Sequence, residues 1–235
     1  LPNGAAIRPG TRLRNPALAR TLERLAHHGG LDFYRGKLAD QILRELSALN
    51  SVEPRFRGWS AADLASYRVI RRQPLCSRWR DQLLCSVPAP SSGGLAVQQS
   101  LALWDAISGE DRITQPSGWQ RLVQALAWAD ADRLYWVRDP VDGTPWVSAL
   151  LDPAYISARA RRMKSDLSLR AAPGLPPGQP SYPFARPANG REDGTSQITI
   201  VDRDGNLVSY TASVETVFGS RHLVAGMVMN NQLTD

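Results

Sequence analysis

Lysine is almost missing from this chain. Of its 28 basic residues only Lys37 and Lys164 are lysines. The arginines run from Arg8 to Arg221 with acids interleaved, and the densest group, Arg159, Arg161 and Arg162, fits one helix face. Zinc-finger spacing, a basic heptad and an aromatic RNP-like stripe are all missing. The net charge of +6 therefore reads as a solvated, arginine-biased surface, and no nucleic-acid partner is expected. Cysteine is scarce too: Cys76 and Cys85 are the only two, which excludes a disulfide-dense scaffold. The three histidines, His27, His28 and His222, lack metal-ligand spacing, and neither metal nor cofactor is expected. No apolar run approaches the roughly 18 residues of a membrane helix, and no signal peptide opens the chain, which starts at Leu1. What remains is 43% hydrophobic and 21% charged over 235 residues. That excludes overall disorder and suits one generous domain or two small ones.

The first half reads as short helices. Asn15 can cap a helix with Pro16 at its first position. Leu18, Leu22, Leu25 and Ala26 then recur at helical spacing, and Gly29 or Gly30 ends the run. A second stripe holds Leu38, Ile42, Leu46 and Leu49; Ser60 and Asp63 form a capping box for a third helix. After the turn-rich stretch Pro88 to Gly94, Val97, Leu101 and Trp104 are expected on one buried face. Trp119, Leu122, Leu126 and Ala129 are expected on another, and Asp152-Pro153 opens a helix through about Met163.

Between these helical stretches, a β-hairpin is predicted near residues 74–87 with its turn at Arg80-Asp81. Counting outward from Trp79 opposite Gln82 puts Cys76 opposite Cys85 in a non-hydrogen-bonded pair, whose close spacing suits a disulfide. A disulfide implies an oxidising compartment; two thiols packed as small apolar groups are the alternative.

Residues 165–194 are rich in proline and glycine and read as a flexible tract that forms neither helix nor central strand. Alternating strands follow: one from Thr195, with Ile198 and Ile200 on one face, a turn at Asp202–Asn206, a partner strand over Leu207–Val214, and a third strand at His222–Met229. Helices first and an antiparallel sheet last make an α+β arrangement.

Thr195 stands where the tract meets the strand, directly after Asp193-Gly194. A hydroxyl there can attack the preceding carbonyl in an N-to-O acyl shift. Hydrolysis of the ester then leaves Thr195 as a new N-terminus, whose amine serves its own hydroxyl as general base. Gly194 removes side-chain bulk and permits unusual backbone angles. A threonine at a strand start is also an ordinary β-former.

The stretch GTSQITIVDRDGNLVSYTASVETVFGSRHLVAGMVMNNQLTD resembles the start of the small subunit of gamma-glutamyltransferases. PLCSRWRDQLLCSVPAPSSGG is similar to a PPPSSGG region of that family's large subunit, and RPGTRLRNPALARTLERLAHHGGLDFYRGKLADQI to its large-subunit helices. The resemblance implies the αββα sandwich of N-terminal-nucleophile hydrolases, incomplete in this chain. It divides the chain into 1–164, the C-terminal portion of a large subunit; 165–194, the flexible segment before cleavage; and 195–235, the start of a small subunit. The chain is then an internal slice of a longer protein, without turnover on its own. By the same resemblance Gly194–Thr195 is the autocleavage bond, Thr195 the nucleophile, and Ser213 stands where the family commonly has a second threonine bonded to it. Thr211, on the same strand face, is a lesser candidate. Glu215, Gln232 and Asp235 match positions that hold the α-ammonium of a γ-glutamyl group, for which carboxylates and amides replace lost hydration. Many relatives have Asn at the place of Glu215 and some have Glu at that of Gln232, so the negative charge has changed places; a solvent-facing Glu215 is the plainer reading.

The activity so implied is gamma-glutamyltransferase or glutathione hydrolase. Its substrates are glutathione or other γ-glutamyl compounds, its acceptors amino acids or peptides, its subunits associate after cleavage, and its location is periplasmic or secreted. The family's oxyanion glycines and serine pair fall beyond Asp235, and Pro88 to Gly94 reads as structural. A glutaryl or cephalosporin acylase, a poly-γ-glutamate-processing relative and an uncleaved non-enzymatic homologue are the alternatives.

Overall fold

The computed structural model describes residues 8–52, 59–109, 112–138, 145–165, 170–178 and 194–231. In chain order the elements are α1 (Pro16–His28), α2 (Leu31–Arg35), α3 (Lys37–Val52), α4 (Ala61–Ser66), β1 (Leu75–Trp79), β2 (Gln82–Ser86), α5 (Gly93–Ser108), α6 (Pro116–Trp136), α7 (Pro145–Ala149), α8 (Pro153–Ser165), β3 (Thr195–Val201), β4 (Leu207–Ser213), β5 (Leu223–Val224) and β6 (Met227–Val228). The chain divides into two compact units, one of residues 1–69 with 190–235, the other of residues 70–189.

In the first unit the helix ends follow the caps. Asn15 Oδ1 accepts the Leu18 N–H at 2.9 Å, and Gly29 closes α1 at φ +77° with its N–H on the Leu25 carbonyl. The single-turn α2 was not expected. Arg24 reaches across from α1 to Asp32 within it, and this partner holds the Asp32 carboxyl below its ordinary range. Ser60 and Asp63 form the capping box of α4: the Ser60 N–H donates to Asp63 Oδ2 at 2.7 Å and the Asp63 N–H to Ser60 Oγ at 3.2 Å. Leu38, Ile42 and Leu46 line one face of α3 and form a buried cluster with Val224 and Ala225.

The expected third strand does not form. Residues 222–229 instead make the separate β5–β6 ribbon, because Ala225 (φ +50°) and Gly226 (φ +80°) turn the chain back on itself. The β3–β4 ribbon runs from Thr195↔Ser213 to Val201↔Leu207. Its alternation is as expected: Ile198, Ile200, Val208 and Tyr210 share one face, and Thr195, Gln197, Thr199, Ser209, Thr211 and Ser213 share the other. β3 is exposed along its whole length, with Ile198 54% accessible, since nothing among the described residues covers it.

In the second unit β1 and β2 pair with Cys76 opposite Cys85, and the two are joined by a disulfide. The hairpin is held to α5 by Gln98 Nε2 donating to the Leu75 carbonyl at 3.0 Å and by Arg80 Nη2 to Asp105 Oδ1 at 2.8 Å. Gly94 permits this approach, since a Cβ there would lie 2.2 Å from Ser86 Oγ. The buried helix faces match those expected only in part: Ala129 is buried and Trp104 packs against the core. Val97, Trp119 and Leu126 are exposed; α5 buries Leu95, Gln98, Gln99 and Leu103, and α6 buries Gln124, Ala125, Trp128, Ala129, Asp132 and Trp136. Polar residues sit on these faces because partners meet them. Asp132 Oδ1 accepts the Gly174 N–H at 2.7 Å and Arg159 Nη2 at 3.1 Å, while Oδ2 accepts Tyr155 OH at 2.9 Å and Gln99 Nε2 at 2.8 Å. Arg159 therefore does not belong to the solvated arginine surface; it is 4% exposed and lies 4.2 Å over the Trp128 ring. Trp136 Nε1 also donates to the Gly174 carbonyl at 2.8 Å. Residues 170–178, part of the proline-rich tract, thus enter this core without becoming helix or strand.

Candidate active site

The site is built on the polar face of the β3–β4 ribbon, and its register is set at the turn. Asp202 Oδ1 accepts the N–H groups of Asp204 and Asn206, each at 2.9 Å, and its Oδ2 accepts Asn206 Nδ2 at 2.8 Å. Those donors, the Asn206 amide first, hold the Asp202 carboxyl below its ordinary range. Gly205 takes φ +82°. With the turn so fixed, seven residue pairs later Thr195 lies opposite Ser213.

The two hydroxyls meet. Thr195 Oγ1 donates to Ser213 Oγ at 3.2 Å, Ser213 Oγ donates to the Gly194 carbonyl at 3.0 Å, and the Glu215 N–H donates to Ser213 Oγ at 2.9 Å. Ser213 is thereby bonded on both sides of the Gly194–Thr195 peptide. Gly194 takes φ +128°, where a side chain is strained although no atom would block a Cβ. Thr211 is turned to a different partner: its hydroxyl donates to Gln197 Oε1, and Gln197 Nε2 donates to Ser209 Oγ at 2.6 Å. Glu215 follows at φ +74°, half-buried beside this pair. Gln232 and Asp235 lie outside the described residues. Among the described residues no cluster of three or more His, Cys, Asp or Glu is placed to hold a metal ion.

One residue of the neighbourhood escaped sequence reasoning. Asn231 Oδ1 accepts both the N–H and the Oγ1 of Thr216, each at 3.2 Å, and the Asn231 N–H donates to the Val214 carbonyl at 3.4 Å. Glu215 therefore sits in the closed mouth of a loop running from Val214 to Asn231. No spacing in the sequence announces a contact of this kind.

A family model for gamma-glutamyltranspeptidase matches residues 1–235. The chain belongs to the gamma-glutamyltranspeptidase family. It is 30% identical to a glutathione hydrolase proenzyme of Pseudomonas aeruginosa, over 97% of this chain and 39% of that protein. It is 29% identical to one of Bacillus subtilis, over 100% and 40%, and 28% identical to an acylase ACY 1 proenzyme of a Pseudomonas species, over 99% and 39%. Among solved structures, the cephalosporin acylase of Bacillus halodurans superposes with a TM-score of 0.76 at 27% identity, over 98% of this chain and 38% of that one. The chain spans about two fifths of the length of the curated relatives it matches. Its mixture of helices and small antiparallel ribbons is an α+β member of the N-terminal-nucleophile hydrolase fold. Both hydrolases and acylases thus stand among the relatives of this gamma-glutamyltranspeptidase chain, and family membership alone does not choose the acyl group.

Proposed function

We propose that the protein carrying this chain is a gamma-glutamyltransferase or glutathione hydrolase that matures by cleaving its own Gly194–Thr195 bond. The observation that carries the reading is the hydroxyl pair on that bond, with Thr195 Oγ1 donating to Ser213 Oγ at 3.2 Å and Ser213 Oγ to the Gly194 carbonyl at 3.0 Å. In maturation, Thr195 Oγ1 attacks the Gly194 carbonyl carbon, the C–N bond breaks with the proton passing to nitrogen, and water hydrolyses the resulting ester. In turnover, the freed amine of Thr195 takes the proton of its own hydroxyl as the oxygen attacks a γ-amide carbonyl. A γ-glutamyl ester forms and the amine product leaves. Water, an amino acid or a peptide then accepts the acyl group. Ser213 orients the nucleophile, and Glu215, with Gln232 and Asp235, receives the substrate ammonium. The segments on either side of the cut remain together as large and small subunits; the first compact unit, which takes residues from both sides, supports this. The disulfide supports export to the periplasm or the medium, and no described helix is long and apolar enough to cross a membrane.

The acylase relatives favour a second reading, an acyl group without an α-ammonium. Glu215, an acidic residue whose backbone N–H is bonded to Ser213 Oγ, supports the γ-glutamyl substrate instead. The experiment compares full-length wild type with Thr195→Ala on a γ-glutamyl anilide. Expected are loss of the cleavage product and a fall in turnover of at least about 1,000-fold. Undiminished turnover removes the mechanism. An intact Gly194–Thr195 bond after long incubation of the wild type supports an uncleaved, non-enzymatic homologue.

A further inference from the structure

Far from Glu215 in sequence, α1 and α3 grip the tip of the loop whose mouth holds it. Thr21 Oγ1, buried, donates to the Ala225 carbonyl at 2.7 Å. Asn15 Nδ2 donates to the Gly226 carbonyl at 2.8 Å, and Glu45 Oε2 accepts the Ala225 N–H at 2.6 Å. Three side chains thus satisfy three backbone groups of one two-residue turn. The fit is close, because a Cβ on Gly226 would stand 2.2 Å from the Leu18 nitrogen. Ala225 itself is 2% exposed and belongs to the buried cluster with Leu38, Ile42 and Leu46.

The grip reaches the mouth through ordered bonds. The β5–β6 pairing carries it to His222 and Met229, where the Met229 N–H donates to the His222 carbonyl at 3.0 Å and the Ser220 N–H to the Met229 carbonyl at 2.8 Å. Two residues on, Asn231 holds Thr216 and Val214. Glu215 lies between those two. A loop closed at its mouth and fixed at its tip has little freedom to move the residue it carries.

We infer that Asn15, Thr21 and Glu45 are positioning residues for recognition of the substrate ammonium, acting through the Ala225–Gly226 turn on Glu215. The inference rests on the reading of Glu215 as an ammonium ligand. It has a selective consequence. Loosening the grip weakens binding of a γ-glutamyl group and spares an acyl group that lacks the ammonium, whereas a residue that merely supports the fold affects both alike.

The test uses the full-length protein with a γ-glutamyl anilide and its des-amino counterpart, a glutaryl anilide. Thr21→Val removes the donor; it is expected to lower kcat/KM for the γ-glutamyl anilide roughly tenfold, mainly through KM, and to leave the glutaryl anilide within about twofold. Thr21→Ser restores the wild-type ratio. Asn15→Asp keeps the acceptor that caps α1 and removes the donor to Gly226; it is expected to reproduce the selective loss, and decides alone if Thr21→Val does not fold. Equal losses on both substrates, or no loss, overturn the positioning role while leaving Glu215 in place. If Glu215→Gln does not alter the preference for the γ-glutamyl anilide, the ammonium reading falls and this inference falls with it.

Discussion

Replacing Asp132 by alanine puts the buried polar knot of the second unit to a quantitative test. Asp132 is fully buried and accepts four hydrogen bonds. Its removal strands Arg159, which is 4% exposed and would keep only the carbonyls of Trp128 at 3.3 Å and Ala172 at 2.7 Å. Breaking one side of a buried pair costs about 3–5 kcal/mol. The Gly174 N–H and the Tyr155 hydroxyl lose their acceptor as well, at about 1–3 kcal/mol each when no water replaces it. These terms overlap, and we expect about 4 kcal/mol for Asp132→Ala. Asp132→Asn is milder, at about 2 kcal/mol, because its oxygen still accepts the Gly174 N–H, and Gln99, whose Oε1 has no partner among the described residues, can turn to accept the new amide.

The assay is denaturant unfolding of the full-length protein, followed through near-ultraviolet signals of Trp128 and Trp136, with exchange of the Gly174 amide as a local probe. The pH dependence supplies a second check. Burial pushes the Asp132 pKa above its ordinary 3.8, against the pull of Arg159 and of the Gly174, Tyr155 and Gln99 donors. A carboxyl with a raised folded-state pKa holds its proton more tightly folded than unfolded, so this group's contribution falls as pH rises from 3.8 through the folded value. Asp132→Asn lacks that slope. A loss below about 1 kcal/mol for Asp132→Ala, or equal losses for the two variants, refutes the reasoning.

Two further outcomes are expected. Cys76→Ser with Cys85→Ser removes a short closed loop and lowers the stability of the hairpin by about 2–3 kcal/mol; because Gln98 and Arg80 still tie β1 and the turn to α5, the α5–α6 packing persists, as hydrogen exchange on α5 will register. The Asp202 turn is acid-sensitive in the opposite sense to Asp132: its carboxyl is held below the ordinary 3.8, so its contribution is present above that value and lost as pH falls through the folded-state pKa. Protection of the Asn206 amide should fade in that acid window and not in Asp202→Asn.

The helices that the sequence marks well are those closed by local chemistry. Asn15, Gly29, Ser60 and Asp63 act within three or four residues of themselves, and a two-residue turn fixes the Cys76–Cys85 register by counting. Apolar character marks only part of the buried face of α6, where Ala129 is buried. Trp119 and Leu126 are exposed while Gln124 and Asp132 are buried, and what makes Asp132 a core residue is Arg159 and Gly174, distant in sequence and themselves outwardly polar or featureless. The hydroxyl pair of the site was legible through the family resemblance, and the register of β3 with β4 from the Asp202–Asn206 turn is what brings Thr195 opposite Ser213. The hold of Asn231 on Thr216, and of Thr21 on Ala225 across 204 positions, was not. Such contacts join side chain to backbone, and a backbone carbonyl has no signature in a sequence.

The placement of the Gly194–Thr195 bond bears on how a nucleophile made by the proposed cleavage would keep its geometry. Upstream of the bond, Gly194 carries a backbone angle, φ +128°, that a side chain resists. Downstream, Thr195 is the first residue of a paired strand with seven partners in register, ending at a turn closed by Asp202. The proposed cut breaks none of those bonds; the contact it bears on is the one from Ser213 Oγ to the Gly194 carbonyl. The Ser213 hydroxyl then has a proton to donate elsewhere, its acceptor role toward Thr195 is unchanged, and the new amine is created on the same residue as the hydroxyl it is proposed to activate. The Ala225–Gly226 turn, meanwhile, stays tied to Asn15, Thr21 and Glu45. Among the described residues, neither the pairing of β3 with β4 nor the hold on the Ala225–Gly226 turn runs through the Gly194–Thr195 bond.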